Sequence, residues 1–273
     1  MNSPLANQPD DISPNQLSYL KAHKRHHHII SLSRFILIIA FLGIWELSAR
    51  QQWIDVFFFS SPSGIITYLY GMFSDYSFFT HTGITLLEII GSFLLVTLIS
   101  LSTATILWYI RSLAEILEPY LVILNSLPKS ALAPLLIVWL GTGTNTIIVA
   151  GISVAVFGSI INLYTGFTQA DPEMLKLIYT LGGNRRDAFF KVIFPSSIPL
   201  ILSNMKVNIG LALVGVIIGE FLAARRGLGY LIIYGSQVFQ LSMVITSIII
   251  LCAIAMAFYK LIQSLEHHYR KKD

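Results

Sequence analysis

The sequence predicts an all-α integral membrane protein with six transmembrane helices. Hydrophobic residues fill 55% of its 273 positions and charged residues only 12%, about half the charge of an ordinary soluble domain. The apolar residues also fall in long runs, each near the roughly 20 residues that cross a bilayer as a helix. A β-barrel would alternate apolar and polar positions, whereas stretches such as residues 211–219 are apolar throughout. The spans are expected at residues 33–50, 82–110, 117–140, 144–168, 198–222 and 241–262.

Residues 1–32 read as a polar tail: Pro4, Pro9, Pro14, Asp10 and Asp11 stand among Asn and Gln, with no apolar run before residue 30. The first run ends in Trp45, Glu46, Leu47 and Ser48 rather than in a small-residue cleavage site, so it is read as an uncleaved first span. Residues 51–81 carry no Lys or Arg but many aromatic rings, among them Trp53, Phe57, Tyr70 and Phe79. Such rings favour the headgroup region. Ser61 followed by Pro62 suits a helix start, which predicts a short interfacial helix over 62–73; an aromatic loop packed on the other helices fits as well.

The third span holds Pro128, Lys129 and Pro134. Lys129 falls about 18 Å from the start of this span, near mid-depth. Prolines at that depth break a helix beside a cavity or a neighbouring helix. Lys129 therefore either lines a path and draws an anion, or pairs with an acid such as Glu88, or snorkels to the surface. In the fifth span Asn204 and Asn208 share a face and either bind solute or join helices. Gly215 and Gly219 offer a close-packing surface for another helix, including one from a second chain. Glu46 and Glu220, near span ends, are expected to reach headgroups or water, with Glu220 a further candidate for the path. The loop at Arg225 and Arg226 is either solvated or touches a partner or solute.

The longest connection, residues 169–199, is built as a docking element. Asp171, Pro172 and Glu173 make a helix N-terminus. Met174, Ile178 and Leu181 then form an apolar stripe, and Gly182-Gly183 ends the helix. Asn184 caps a second helix bearing Arg185, Arg186 and Lys191, and Pro195 and Pro199 are expected to close it and turn the chain into the fifth span. Two short helices lying on the membrane surface fit the same spacing.

With both termini placed inside, twelve of the 18 Lys and Arg residues lie on that side, three (Arg50, Arg225, Arg226) lie opposite, and Lys129, Lys206 and Lys260 fall within spans. The positive-inside rule selects this orientation. The lone Cys252 excludes an intrachain disulfide, and the His26–His28 and His267–His268 clusters lack carboxylate or thiolate companions for a metal. They read as basic, headgroup-facing ends, the second within a tail at 266–273.

At residues 169–199 the chain resembles the permease subunits of bacterial ATP-binding-cassette importers. Their cytoplasmic EAA loop has Glu-Ala-Ala, three residues, a glycine, nine residues, then Ile-x-Leu-Pro. Gly182 fits the glycine, and Val192, Phe194 and Pro195 fit the last motif, while Lys176, Leu177 and Ile178 replace Glu-Ala-Ala. SSPSGIITYL, LNSLPKSALAPLLIVWLGTG and GEFLAARRGLGYLI are similar to the branch that imports nitrate, taurine, alkanesulfonates and thiamine or riboflavin precursors. The resemblance implies the six-span type I permease fold over residues 33–265, in the bacterial cytoplasmic membrane. It implies an ATPase-coupling segment made by Asp171, Glu173, Met174, Ile178, Leu181, Gly182, Gly183, Arg185, Arg186 and Pro195. Partners would be two ATPase subunits, an external solute-binding protein, a second permease chain forming a homodimer, and membrane lipid, with no nucleic acid. No cofactor is expected on this chain, ATP and Mg²⁺ being held by the ATPase.

No phosphate-binding Gly-x-x-x-x-Gly-Lys-Ser/Thr occurs; neither Gly143 nor Gly183 is followed by the required pair. Nor is there a nucleophile–base set of a catalytic kind, so the chain is expected not to be an enzyme. The competing reading is an ion-coupled secondary transporter. That would need intramembrane carboxylates, for which Glu88 is the buried candidate, and a repeated half, which is not evident.

Overall fold

The computed structural model describes residues 14–270, and among these the side chains of residue 30 and residues 32–266. The histidine clusters and the basic residues Lys21, Lys24, Arg25, Arg270, Lys271 and Lys272 lie outside the described side chains. Twelve α-helices and one π-helical turn account for the described regular structure, and no strand occurs among the described residues. Five helical stretches are long and apolar enough to cross a membrane, and a bent pair makes a sixth.

The described residues fall into two compact units that divide after Gly64. In the first, α1 (Pro14–Arg50) is helical well before the expected span, across half of the segment read as a polar tail. Its apolar part, Leu32–Arg50, leaves Phe35, Leu37, Phe41 and Ile44 exposed, which is stable where the surroundings are hydrocarbon. Asp55 caps the short α2 (Val56–Phe59) by accepting from the Phe57 N–H at 2.9 Å. Glu46 does not simply reach headgroups or water. Its Oε1 accepts from Arg50 Nε at 2.7 Å and its Oε2 from the Ser63 N–H at 3.0 Å, so it satisfies an orphan donor at the start of α3 (Pro62–Ser74). The helix predicted at 62–73 is therefore present.

In the second unit, α4 (Ser77–Tyr109), α7 (Thr144–Thr168) and α10 (Phe194–Ala223) make the core, with α7 packed extensively against both others. Asp75 opens α4, accepting from the Ser77 N–H at 2.9 Å, and hydrogen bonding to Ser77 holds its carboxyl below the usual range. The third span is two helices, α5 (Arg111–Ser126) and α6 (Lys129–Leu140), meeting at 97° across Leu127 and Pro128. Proline disfavours helical geometry at the residue before it, and Leu127 is extended.

The close α7–α10 approach rests on small residues. A Cβ on Gly215 would lie 2.7 Å from Gly151 Cα and 2.8 Å from the Ala150 carbonyl oxygen, and one on Gly219 would lie 3.0 Å from Ile147 Cα. The close-packing surface expected for another helix is thus present, and the helix it receives is α7 of this same chain.

Between α7 and α10 lie α8 (Pro172–Thr180), α9 (Arg185–Ala188) and a π turn (Phe189–Ile193) that runs directly into α10. Pro195 and Pro199 do not stop the helix, contrary to the sequence expectation. Pro195 occupies the first turn of α10, and the wider π turn just before it absorbs the loss of a regular i→i−4 bond. Beyond α10, α11 (Leu228–Gln237) packs on α12 (Leu241–Arg270), which continues through 266–270.

Candidate functional site

The segment from Asp171 to Pro195 is built largely as its sequence dictates. Asp171 accepts from the Glu173 N–H at 2.8 Å, and Gly182 takes φ +81 at the helix end. Asn184 accepts from the Arg186 and Asp187 N–H groups while Asp187 accepts from the Asn184 N–H at 3.0 Å, a reciprocal capping box. Lys191 closes the turn with a 2.8 Å ion pair to Asp187. Phe189, 2% exposed, anchors the segment among Trp108, Tyr109 and Phe167 at ring distances of 5.3, 5.4 and 5.6 Å.

The apolar stripe is arranged differently from Met174, Ile178 and Leu181. Ile178 folds inward over Gly183, and Leu175 packs on the aromatic cluster. Met174 (52% exposed), Leu177 (52%) and Leu181 (74%) form the outward apolar patch. The segment thus presents large side chains away from its own fold, between two span-length helices.

At the other end of the core sits a buried polar cluster. Glu220 is fully buried, which overturns the expectation that it reaches headgroups or water. It accepts from Thr85 Oγ1 at 2.6 Å and from the Gly229 N–H, and lies against the Glu88 carboxyl. The Leu228 N–H donates to Thr85 Oγ1 at 2.8 Å and the Gly227 N–H to His81 Nδ1 at 3.0 Å. Three consecutive N–H groups entering α11 are thus received by side chains of α4 and α10. Gly227 has φ +120 and a Cβ there would lie 2.5 Å from the Glu220 carboxyl, so glycine is required on both counts. Arg225 and Arg226 line a cavity of about 200 Å³ with Glu88 and Thr144.

The other predicted path residues are also engaged. Asn204 and Asn208 are buried and both donate to Ser159 Oγ, at 2.6 and 2.9 Å, while Asn162 donates to Asn204 Oδ1 at 3.0 Å. They join α7 to α10. Lys129 Nζ donates to the Leu124 and Asn125 carbonyls at 2.7 and 2.6 Å, capping α5 at the bend. Lys129 and Glu88 do not pair; Lys206 pairs with Glu266 across α10 and α12. Among the described residues, no group of three or more His, Cys, Asp or Glu could hold a metal.

The sequence pattern of the binding-protein-dependent transport system inner membrane component matches residues 96–270. The chain belongs to this family. A probable ABC transporter permease protein of Haemophilus influenzae is 29% identical over 87% of this chain and 96% of its own. The formylaminopyrimidine transport permease protein ThiX of Halalkalibacterium halodurans is 28% identical over 76% of this chain and 81% of its own. A crystal structure of an amino acid ABC transporter superposes with TM-score 0.54 at 16% identity, covering 75% of this chain and 98% of that one, and supports the fold. The protein is an all-α, multi-pass membrane permease of the binding-protein-dependent ABC importer type.

Several residues of the permease escaped sequence reasoning. His81, Thr85 and Ser159 sit on helices read only for hydropathy, and each partner lies 45 or more residues away in the chain. The Gly227-Leu228-Gly229 turn was the available signal, since three consecutive N–H groups at a helix start require acceptors nearby. Leu177 escaped because Ile178 was assigned to its face.

Proposed function

We propose that this permease forms the translocation path for a small polar or anionic solute of the sulfonate, taurine, nitrate or vitamin-precursor class, delivered by an external binding protein. Two separate ATPase subunits drive it, and a second copy of the chain completes the path. The single observation that carries this reading is the α8–α9 segment: a capped helix–turn–helix anchored by Phe189, with Met174, Leu177 and Leu181 directed outward. Apolar side chains held outward on a rigid element suit a protein groove. ATP-driven movement of that groove would act on α10 directly, because the π turn joins α9 to α10 without a loop.

Both termini lie in the cytoplasm in this reading. Arg111, Lys176, Arg185, Arg186 and Lys191 gather at the end of the core that carries α8 and α9, the side favoured for basic loops. The vitamin-precursor option is supported by the transport named for the ThiX relative. The anionic option is supported by Arg225 and Arg226 at the opposite end.

The test is uptake by vesicles containing the permease with its co-purifying ATPase and binding protein. ATP-dependent accumulation of a labelled formylaminopyrimidine or sulfonate supports the assignment; accumulation driven by an ion gradient without ATP overturns it.

A further inference from the structure

A cavity of about 780 Å³ opens where α4, α5 and α7 end against the α8–α9 segment. Trp108 and Arg111 line it from the α4–α5 junction, Tyr164 and Thr168 from α7, Tyr179 from α8 and Arg185 from α9. Because α4 and α7 are spans that terminate here and α5 begins the broken one, the cavity lies at a membrane surface. Its position does not depend on which surface that is.

Its chemistry is that of an anion site. Arg185 Nη2 donates to the Trp108 carbonyl at 3.0 Å while the guanidinium lies 5.2 Å from the Trp108 ring centroid. That contact fixes its plane and leaves further N–H groups of the fork for an oxyanion. Arg111 contributes a second guanidinium, whose Nε bonds Glu115 at 3.2 Å in an exposed pair that is weak at a solvated surface. Tyr164 and Tyr179 add hydroxyl donors, Thr168 giving its own to the Thr165 carbonyl at 2.8 Å, and the Trp and Tyr rings suit the headgroup layer.

We propose that this cavity binds the phosphodiester headgroup of an anionic phospholipid, bridging the α4–α5 junction to the α8–α9 segment. Basic pockets between spans on the cytoplasmic side bind such headgroups. A headgroup held by both Arg111 and Arg185 would tie the coupling segment to the spans, so movement of α8 would be passed to α4 and α5 as well as to α10. This consequence rests on the coupling reading of α8; the lipid site itself rests only on the cytoplasmic placement of that end of the core.

The test is native mass spectrometry of the intact permease with phosphatidylglycerol or phosphatidylcholine, on wild type, Arg111→Gln, Arg185→Lys and the double variant Arg111→Gln/Arg185→Gln. Retained phosphatidylglycerol should exceed phosphatidylcholine and should fall about fivefold for each arginine charge removed. Arg185→Lys keeps the charge and should show a smaller loss. Arg225→Gln/Arg226→Gln, in a different cavity at the opposite end of the core, should retain the lipid and controls for the loss of two positive charges, while a monodisperse peak in detergent for Arg111→Gln/Arg185→Gln controls for its folding. Equal retention of the two lipids, or undiminished phosphatidylglycerol on the double variant, overturns the proposal. So does binding of inorganic phosphate, followed by ³¹P line broadening in detergent, if it is lost in the double variant without any lipid preference, since the site would then serve a soluble anion. Because the permease is tested alone, failure here is distinct from failure to bind an ATPase.

Discussion

Gly215→Ala should loosen the permease core. The added Cβ would lie 2.7 Å from Gly151 Cα, 2.8 Å from the Ala150 carbonyl oxygen and 2.9 Å from Val154 Cγ2. Carbon atoms pack at about 3.5 to 4.0 Å, so α7 and α10 must part by roughly 1 Å. Two of the three contacts are backbone and cannot swing aside. Overpacking of this kind costs about 1–3 kcal/mol. The same separation stretches the Asn204 and Asn208 bonds to Ser159, which cross the same interface. At about 2–4 °C per kcal/mol for a domain of this size, the midpoint should drop by roughly 2–12 °C. The assay is thermal unfolding in detergent, followed by the loss of the monodisperse peak. Gly210→Ala is the comparison, since a Cβ there meets nothing within 4 Å and alanine favours helix. A Gly215→Ala variant as stable as Gly210→Ala would refute the packing argument.

Three other substitutions have defined outcomes. Thr85→Val keeps the shape but leaves the buried Leu228 N–H without its acceptor, which should cost about 1–3 kcal/mol; hydrogen exchange should then rise at the start of α11. Lys129→Met removes the donor to two α5 carbonyls and should lower the thermal midpoint, while transport persists with its apparent solute affinity little changed; loss of solute binding at unchanged stability would instead return Lys129 to the path. Asp171→Ala removes the α8 cap and should destabilise that helix locally by about 1 kcal/mol, read as faster proteolysis or exchange within residues 171–181 with the rest of the protein unaffected.

The parts of this structure legible in the sequence are those governed by local rules. Hydropathy located the spans, and the caps at Asp171 and Asn184 and the turn at Gly182 followed from side-chain chemistry within a few residues. The misreadings arose where distant segments decide the outcome. Glu220 stands close to a predicted span end, so depth alone pointed to water; only the folding of the Gly227–Gly229 turn back onto α4 and α10 buries it. Asn204 and Asn208 could serve solute or helix pairing until Ser159 was brought opposite them. Lys129 lies beside the proline that frees the carbonyls it bonds, a local pairing outside the three alternatives of solute path, ion pair and snorkelling. Pro195 illustrates the reverse: a strong local breaker was tolerated because a π turn redistributes the hydrogen bonds before it.

In the proposed function α8 is the seat of an ATPase. Met174, Leu177 and Leu181 together expose the equivalent of nearly two whole apolar side chains. At about 1.5 kcal/mol for each one buried, at the low end of the usual range, docking would draw about 3 kcal/mol from them, a factor of roughly 100 in affinity. The decisive measurement is co-purification of the tagged permease in mild detergent, with titration of its associated ATPase, for wild type and for Met174→Ser/Leu177→Ser/Leu181→Ser. With α8 as the docking element, the ATPase accompanies the wild type and binding weakens about 100-fold in the variant, with membrane abundance maintained because these side chains belong to none of the buried apolar clusters. An ATPase bound equally well by the variant would contradict that role.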